Sequence, residues 1–187
     1  MLSAVFLDRD GVINENREDY VKSLDELRFL PGVIGAIGRL TAAGFRVVVV
    51  SNQQGVAKGV IRPEALDEID QALASELSAI GSRVGGVYYC PHLQQDNCAC
   101  RKPKPGLLFK AASDMGFDVT RSILVGDSPK DVQAGRAAGC KTILALSGKT
   151  SPDEVAHLAL QPDHIVADLA EAADLILREY GPDEVRS

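Results

Sequence analysis

The stretch "AVFLDRDG" (residues 4–11) sets four apolar side chains in a row, then two acids around an arginine, and closes on a glycine. An apolar run without alternation suits a strand covered on both faces, as parallel strands in an α/β domain are. The acids then fall at its carboxyl end, where such sheets gather their ligands.

The same pattern repeats along the chain. "FRVVVVS" (45–51), "VGGVYYC" (84–90), "SILVGD" (122–127) and "KTILAL" (141–146) read as strands. Helical patterns lie between them at 32–43, 63–80, 105–115 and 129–138, the last three opening at Pro63, Pro105 and Pro129. Proline suits a first helical turn because its missing N–H would have no partner there. Gly44, Gly81, Gly116 and Gly139 follow these patterns as helix stops. Beyond residue 150 the chain reads as loop and short helix, then "HIVA" (164–167) as an edge strand and a final helix with Asp168 as its N-cap. The expectation is an α/β fold: a doubly wound, mainly parallel sheet with right-handed crossovers. No repeat or linker divides the 187 residues, so one domain spanning 1–187 is expected.

Composition narrows the class. With 45% hydrophobic residues the chain can bury one substantial core. No apolar run approaches the ~20 residues of a membrane helix, and the amino end enters a strand pattern without a basic leader. A cytoplasmic protein with no membrane partner is expected. A net charge of −6 argues against nucleic acid as a partner and leaves room for a focal basic pocket around a small anion. A monomer is expected.

The polar residues after the apolar runs carry the chemistry. Asp8 and Asp10, two apart in extended chain, project to the same side while Arg9 projects away. One carboxylate can attack phosphorus without a base to activate it, the role read for Asp8. The other can give a proton to the departing oxygen and then take one from water. Asp10 fits, its pKa raised by the neighbouring acid. Clustered acids facing a phosphate imply a hard cation, and an oxygen donor set of Asp8, Asp127 and the backbone carbonyl of Asp10 suits Mg²⁺. A phosphoryl transition state needs further donors, supplied by Ser51 and Lys102, with Lys104 the alternative lysine. Asp131 is either a support for this cluster or a charge at a helix amino terminus.

Lys102 lies late in a long loop stretch, "YYCPHLQQDNCACRKPKPG" (88–106), in which Cys90, His92, Cys98 and Cys100 form the donor set of a closed, structural Zn²⁺ site. Free thiols or a disulfide are the alternative. Such a cage would steady Arg101 and Lys102 directly after its last ligand. Cys140 reads as a small buried apolar residue. "SGKT" (147–150) matches the end of a P-loop, but Ile143 stands where that motif begins with glycine, so a nucleotide site is rejected. Arg9, Arg17, Lys58 and Arg62 read as loop charges.

Taken together, "FLDRDGVIN", "VVVVSNQQGVAKG", "CPH…CACRKPKPG" and "LVGDSPKDVQAG" resemble the four ordered motifs of the haloacid dehalogenase (HAD) phosphatase superfamily. More narrowly they resemble its zinc-containing D-glycero-D-manno-heptose 1,7-bisphosphate 7-phosphatases, with histidinol-phosphate phosphatases as relatives. The resemblance spans about residues 4–150. It implies Asp8 as nucleophile, Asp10 as general acid/base, Mg²⁺ on Asp8, Asp10 and Asp127, and Ser51 and Lys102 on the phosphoryl group. It also implies a substrate pocket built from Asn16, Arg17, Glu18, Asp19 and Tyr20, from Asn52, Gln53 and Gln54, and from Arg101 and Ser128. Arg101 would meet the second phosphate or the sugar. Ser51 stands where threonine is common, the metal loop is shorter than in some members, and Ser128 replaces a lysine that contacts substrate, which leaves other sugar phosphates and histidinol phosphate as substrates. The loops leave no room for a cap domain. The expected substrate is a sugar bisphosphate; the rival from another class is a zinc-stabilised phospholigand-binding module without catalysis.

Overall fold

Ala4–Leu7 forms β1, and every one of its side chains is buried. In the computed structural model, which describes residues 4–181, β1 lies between Arg46–Asn52 (β2) and Ile123–Gly126 (β4). Gly86–Cys90 (β3) pairs beyond β2, while Lys141–Ala145 (β5) and His164–Val166 (β6) extend the other side. Among the described residues this makes a six-stranded sheet of order β3-β2-β1-β4-β5-β6 with every pair parallel. Residues 1–3 and 182–187 of the expected domain lie outside the described residues.

The unalternating runs are explained by two core layers. Val5, Leu7, Val47, Val49, Ile123 and Val125 face one side. They pack there with the buried faces of α1 (Val33–Ala42), α2 (Pro63–Ala79) and α6 (Leu169–Tyr180). Phe6, Val48, Val50 and Leu124 face the other, with α3 (Gly106–Met115) and α4 (Pro129–Ala138). Cys140 is buried in this second layer, as the sequence reading expects. Asp168 caps α6 by accepting from the backbone N–H of Glu171 at 3.0 Å. Pro63 and Pro129 open their helices, but Pro105 is the residue before α3. A short helix, α5 (Pro152–Val155), follows β5.

The strand order reverses direction between β1 and β4, and an open parallel sheet has its crevice at such a switch point. Asp8 follows β1 there and Asp127 follows β4. No described helix is long and apolar enough to cross a membrane. Residues 12–32 form loop with one short 3-10 turn, and nothing described stands over the crevice as a second domain.

Candidate active site

A cavity of about 610 Å³ opens at this switch point. Asp8, Asp10, Ser51 and Lys102 all line it. Lys102 is only 2% exposed, and its ammonium meets Asp8 Oδ2 at 2.9 Å, Asp131 Oδ1 at 2.5 Å and the Val50 carbonyl at 2.9 Å. Its placement depends on Asn52, whose side chain accepts from the Lys102 backbone N–H and donates to the Lys102 carbonyl, each at 3.0 Å. Asp131 is therefore more than a helix charge. It also accepts from the backbone N–H of Ser128 at 3.1 Å and from its hydroxyl at 2.5 Å, which caps α4 and fixes the carboxylate facing Lys102.

Asp8 and Asp131, which line the cavity, and the buried Asp127 bring one carboxylate oxygen each within 4.8 Å of the others. Asp127 is fully buried, and its Oδ1 has no hydrogen-bond partner. Three buried acids against one ammonium leave the cluster short of positive charge. Burial, then the nearby Asp8 and Asp131, push the Asp127 carboxyl up to about 7. Burial likewise pushes Asp8 up, and Lys102 offsets only part of this. A hard divalent cation with oxygen ligands supplies what this donor set lacks, so the residues fit Mg²⁺.

The "SGKT" segment is what seats Asp127. Lys149 N–H donates to Asp127 Oδ2 at 2.8 Å, and Thr150 donates through both N–H and hydroxyl to the Asp127 carbonyl at 3.1 and 2.7 Å. A Cβ on Gly11 or Gly148 would collide with the Asp127 carboxylate, so the close approach demands glycine at both. At Gly11 a φ of 88° adds a second demand.

Asp10 departs from expectation. Its carboxylate accepts from Arg9, from Asn14 Nδ2 at 2.9 Å and from Gln53 Nε2 at 2.7 Å. Burial alone would raise its pKa, but Arg9 and the two amides outweigh burial and hold it below the usual carboxylate range. These bonds engage both carboxylate oxygens of Asp10, which is not one of the three clustered acids. Arg9 is not a loop charge: it is 2% exposed and paired to Asp10 at 3.0 Å.

The residues that the resemblance assigns to substrate divide. Asn16, Arg17, Glu18 and Tyr20 line the cavity, as do Asn52, Gln54, Arg101 and Ser128. Arg101 donates to Gln54 Oε1 at 3.1 Å, and Gln54 donates to the Tyr20 hydroxyl at 3.0 Å, so this wall is tied together. Gln53 is buried and bonds Asp10 and the Ser51 hydroxyl instead of facing the cavity. Asp19 turns to Lys22 and Arg17. The cavity also takes in Lys130 and Lys149, which the sequence reading passed over. Their position just after β4 and β5 was the available signal.

Cys90, His92, Cys98 and Cys100 cluster as their spacing predicts. Sulfur–sulfur separations are 3.2–3.6 Å and His92 Nδ1 stands 3.2 Å from Cys100 Sγ. The cysteines are free, and these spacings are far above the ~2.05 Å of a disulfide. They approach the edge of a tetrahedron around zinc, about 3.8 Å for Zn–S bonds of about 2.3 Å. The donors fit a closed Zn²⁺ site.

Known proteins extend this picture. The HAD-hydrolase-like family model matches residues 99–172. A D-glycero-β-D-manno-heptose-1,7-bisphosphate 7-phosphatase of Pseudomonas aeruginosa is 43% identical over 147 residues, covering 79% of this chain and 83% of its own. The enzyme of that name from Neisseria meningitidis is 36% identical over 180 residues, 95% of this chain and 96% of its own. Among solved structures, the D,D-heptose 1,7-bisphosphate phosphatase of Bordetella bronchiseptica, complexed with magnesium and phosphate, superposes with a TM-score of 0.89. It is 37% identical and covers 95% of this chain and 99% of its own.

Proposed function

The chain belongs to the HAD-like hydrolases and, within them, to the heptose-bisphosphate 7-phosphatases, and on that premise we propose that it removes the C7 phosphate of D-glycero-β-D-manno-heptose 1,7-bisphosphate through an aspartyl-phosphate. The observation that carries this reading is the meeting of Asp8, Asp10, Ser51 and Lys102 in one cavity with Asp127 and Asp131 around Asp8.

Asp8 Oδ attacks phosphorus, the bond from phosphorus to the sugar oxygen breaks, and that oxygen leaves with the electron pair and takes a proton from Asp10, whose minor protonated form, disfavoured by Arg9, Asn14 and Gln53, is the reactive one. Water then attacks the phosphorus of the acyl phosphate and returns a proton to Asp10. Inorganic phosphate departs and the Asp8 carboxylate is restored. Ser51 and the neighbouring amides donate to the phosphoryl oxygens, while Lys102 holds Asp8 on line. Mg²⁺ held by Asp8, Asp127 and the Asp10 carbonyl would neutralise the charge of the transferred group. Zn²⁺ held by Cys90, His92, Cys98 and Cys100 would serve as scaffold for the loop.

The tied wall of Tyr20, Gln54 and Arg101 and the lysines at 130 and 149 receive the sugar and its second phosphate. We take residues 1–187 to act as a monomeric cytoplasmic unit without nucleic-acid or membrane partners, a reading supported by the free cysteine cluster and the acidic balance. The test is phosphate release with Mg²⁺ from both anomers of the heptose bisphosphate, histidinol phosphate and other sugar bisphosphates. The β anomer is expected to be the best substrate and Asp8→Asn to be inactive while still binding it. Equal turnover of every ester would remove the heptose assignment, and phosphate release by Asp8→Asn would remove the covalent one.

A further inference from the structure

The proposed acid/base is held by more than its place on the chain. Arg9 Nη2 donates to Asp10 Oδ1 at 3.0 Å and to Oδ2 at 3.1 Å, and Arg9 Nε to Oδ1 at 3.3 Å. Asn14 and Gln53 complete the set, one on each oxygen. These two are neutral amides, so among the described residues Arg9 brings the only charge that bonds the carboxylate. Arg9 is itself fixed: it is buried, and its Cζ lies 5.6 Å from the centre of the Tyr89 ring. The Tyr89 hydroxyl donates to Asp70 Oδ1 at 2.5 Å. A chain of contacts thus runs from α2 through β3 to the cavity, Asp70 to Tyr89 to Arg9 to Asp10.

Burying a guanidinium is costly, and a methionine of similar length would fill the same space without that cost. What the guanidinium adds is a planar fork that fixes the plane of a carboxylate, which a single ammonium does not do. Proton transfer to a departing oxygen is directional and depends on that plane.

We propose that Arg9, braced by Tyr89, is a positioning residue that holds the Asp10 carboxyl in the orientation for proton transfer to the leaving oxygen. This rests on the aspartyl-phosphate reading above. A sugar alkoxide needs the proton as it leaves, whereas a nitrophenolate does not. The two esters therefore separate the loss of a placed acid from general damage to the site.

The experiment compares wild type, Arg9→Lys and Tyr89→Leu on the heptose bisphosphate and on para-nitrophenyl phosphate, with rapid-quench and burst measurements of enzyme phosphorylation. For Arg9→Lys we expect phosphorylation by the sugar ester to slow about 10²-fold while the nitrophenol burst stays within about threefold, with KM for both esters little changed. Tyr89→Leu moves the same way by a smaller factor. If Arg9→Lys fails to fold by circular dichroism, Tyr89→Leu decides, because it keeps both the guanidinium and the carboxyl and removes only the brace between them and β3. Parallel losses on both esters in folded protein, or an unchanged rate on the sugar ester, overturn the proposal. A wild type that releases phosphate from neither ester would instead defeat the phosphatase reading.

Discussion

Lys102 shows how one residue can be read correctly by position and incompletely by role. The sequence places it after the metal loop as a donor to the phosphoryl group. The structure gives its ammonium three partners, Asp8, Asp131 and the Val50 carbonyl, so it also holds two buried acids together. Its pKa follows from this: burial lowers it, and the attraction of Asp131 and Asp8 more than reverses the effect. Removing one partner of a buried ion pair leaves an uncompensated charge, and here it leaves two. Lys102→Met is expected to destabilise the fold by about 3–5 kcal/mol in chelator, measured by urea denaturation, with Mg²⁺ narrowing the gap as it neutralises the acids. Its kcat falls about 10²-fold. A variant as stable as wild type in chelator would show that the acids do not depend on this lysine. Arg9 is the residue the sequence hid most fully. A charge between two loop acids reads as solvated, and nothing local announces that the Tyr89 ring arrives from β3 to cover it.

Elements were easier to read than their contacts. Strands β1, β2, β4 and β5 announced themselves because burial on both faces removes the alternation that an exposed sheet would show. Helix starts at Pro63 and Pro129 followed from the missing N–H. Pro105 missed by one residue, and a tertiary contact coincides with the shift: a Cβ on Gly106, the first residue of α3, would collide with the Ala99 backbone of the metal loop. The "SGKT" loop was legible only as something it is not, since its task of gripping Asp127 is carried by backbone donors and hydroxyls that leave no spacing signature. The metal loop was legible because four ligands of fixed chemistry cannot be scattered. It has two anchors for Lys102, the cage ending at Cys100 and the Asn52 side chain. Stripping zinc is therefore expected to raise amide exchange across residues 90–106 while β1 and β4 stay protected, and to lower activity by misplacing Lys102. Hydrogen exchange by mass spectrometry on verified zinc-free protein checks this. Unchanged protection in the loop would make the cage dispensable.

At the scale of the whole molecule, the crevice sits mid-sheet, and β5 reaches it through the 147–150 loop that seats Asp127, while β6 lies one strand farther out at the sheet edge. Asp163 is the clasp there. Its carboxylate accepts from the Thr142 N–H at 2.8 Å and hydroxyl at 3.0 Å, and it pairs with Arg136 of α4 at 3.1 Å and Lys141 at 3.6 Å. Burial alone would raise its pKa, but the Thr142 donors and then the two cations prevail and hold it below the ordinary value of 3.8. A carboxyl depressed in the folded state contributes stability that is fully present above its unfolded value and is lost as pH falls through its folded value. Asp163→Asn is thus expected to cost about 1–2 kcal/mol at neutral pH, a gap that narrows as pH falls through the depressed folded-state pKa and the wild-type carboxyl becomes protonated. Urea midpoints for the two proteins across that range measure it. A gap that stays constant with pH would mean that Asp163 contributes through shape alone, and the charge that joins β5, β6 and α4 would have to be sought elsewhere.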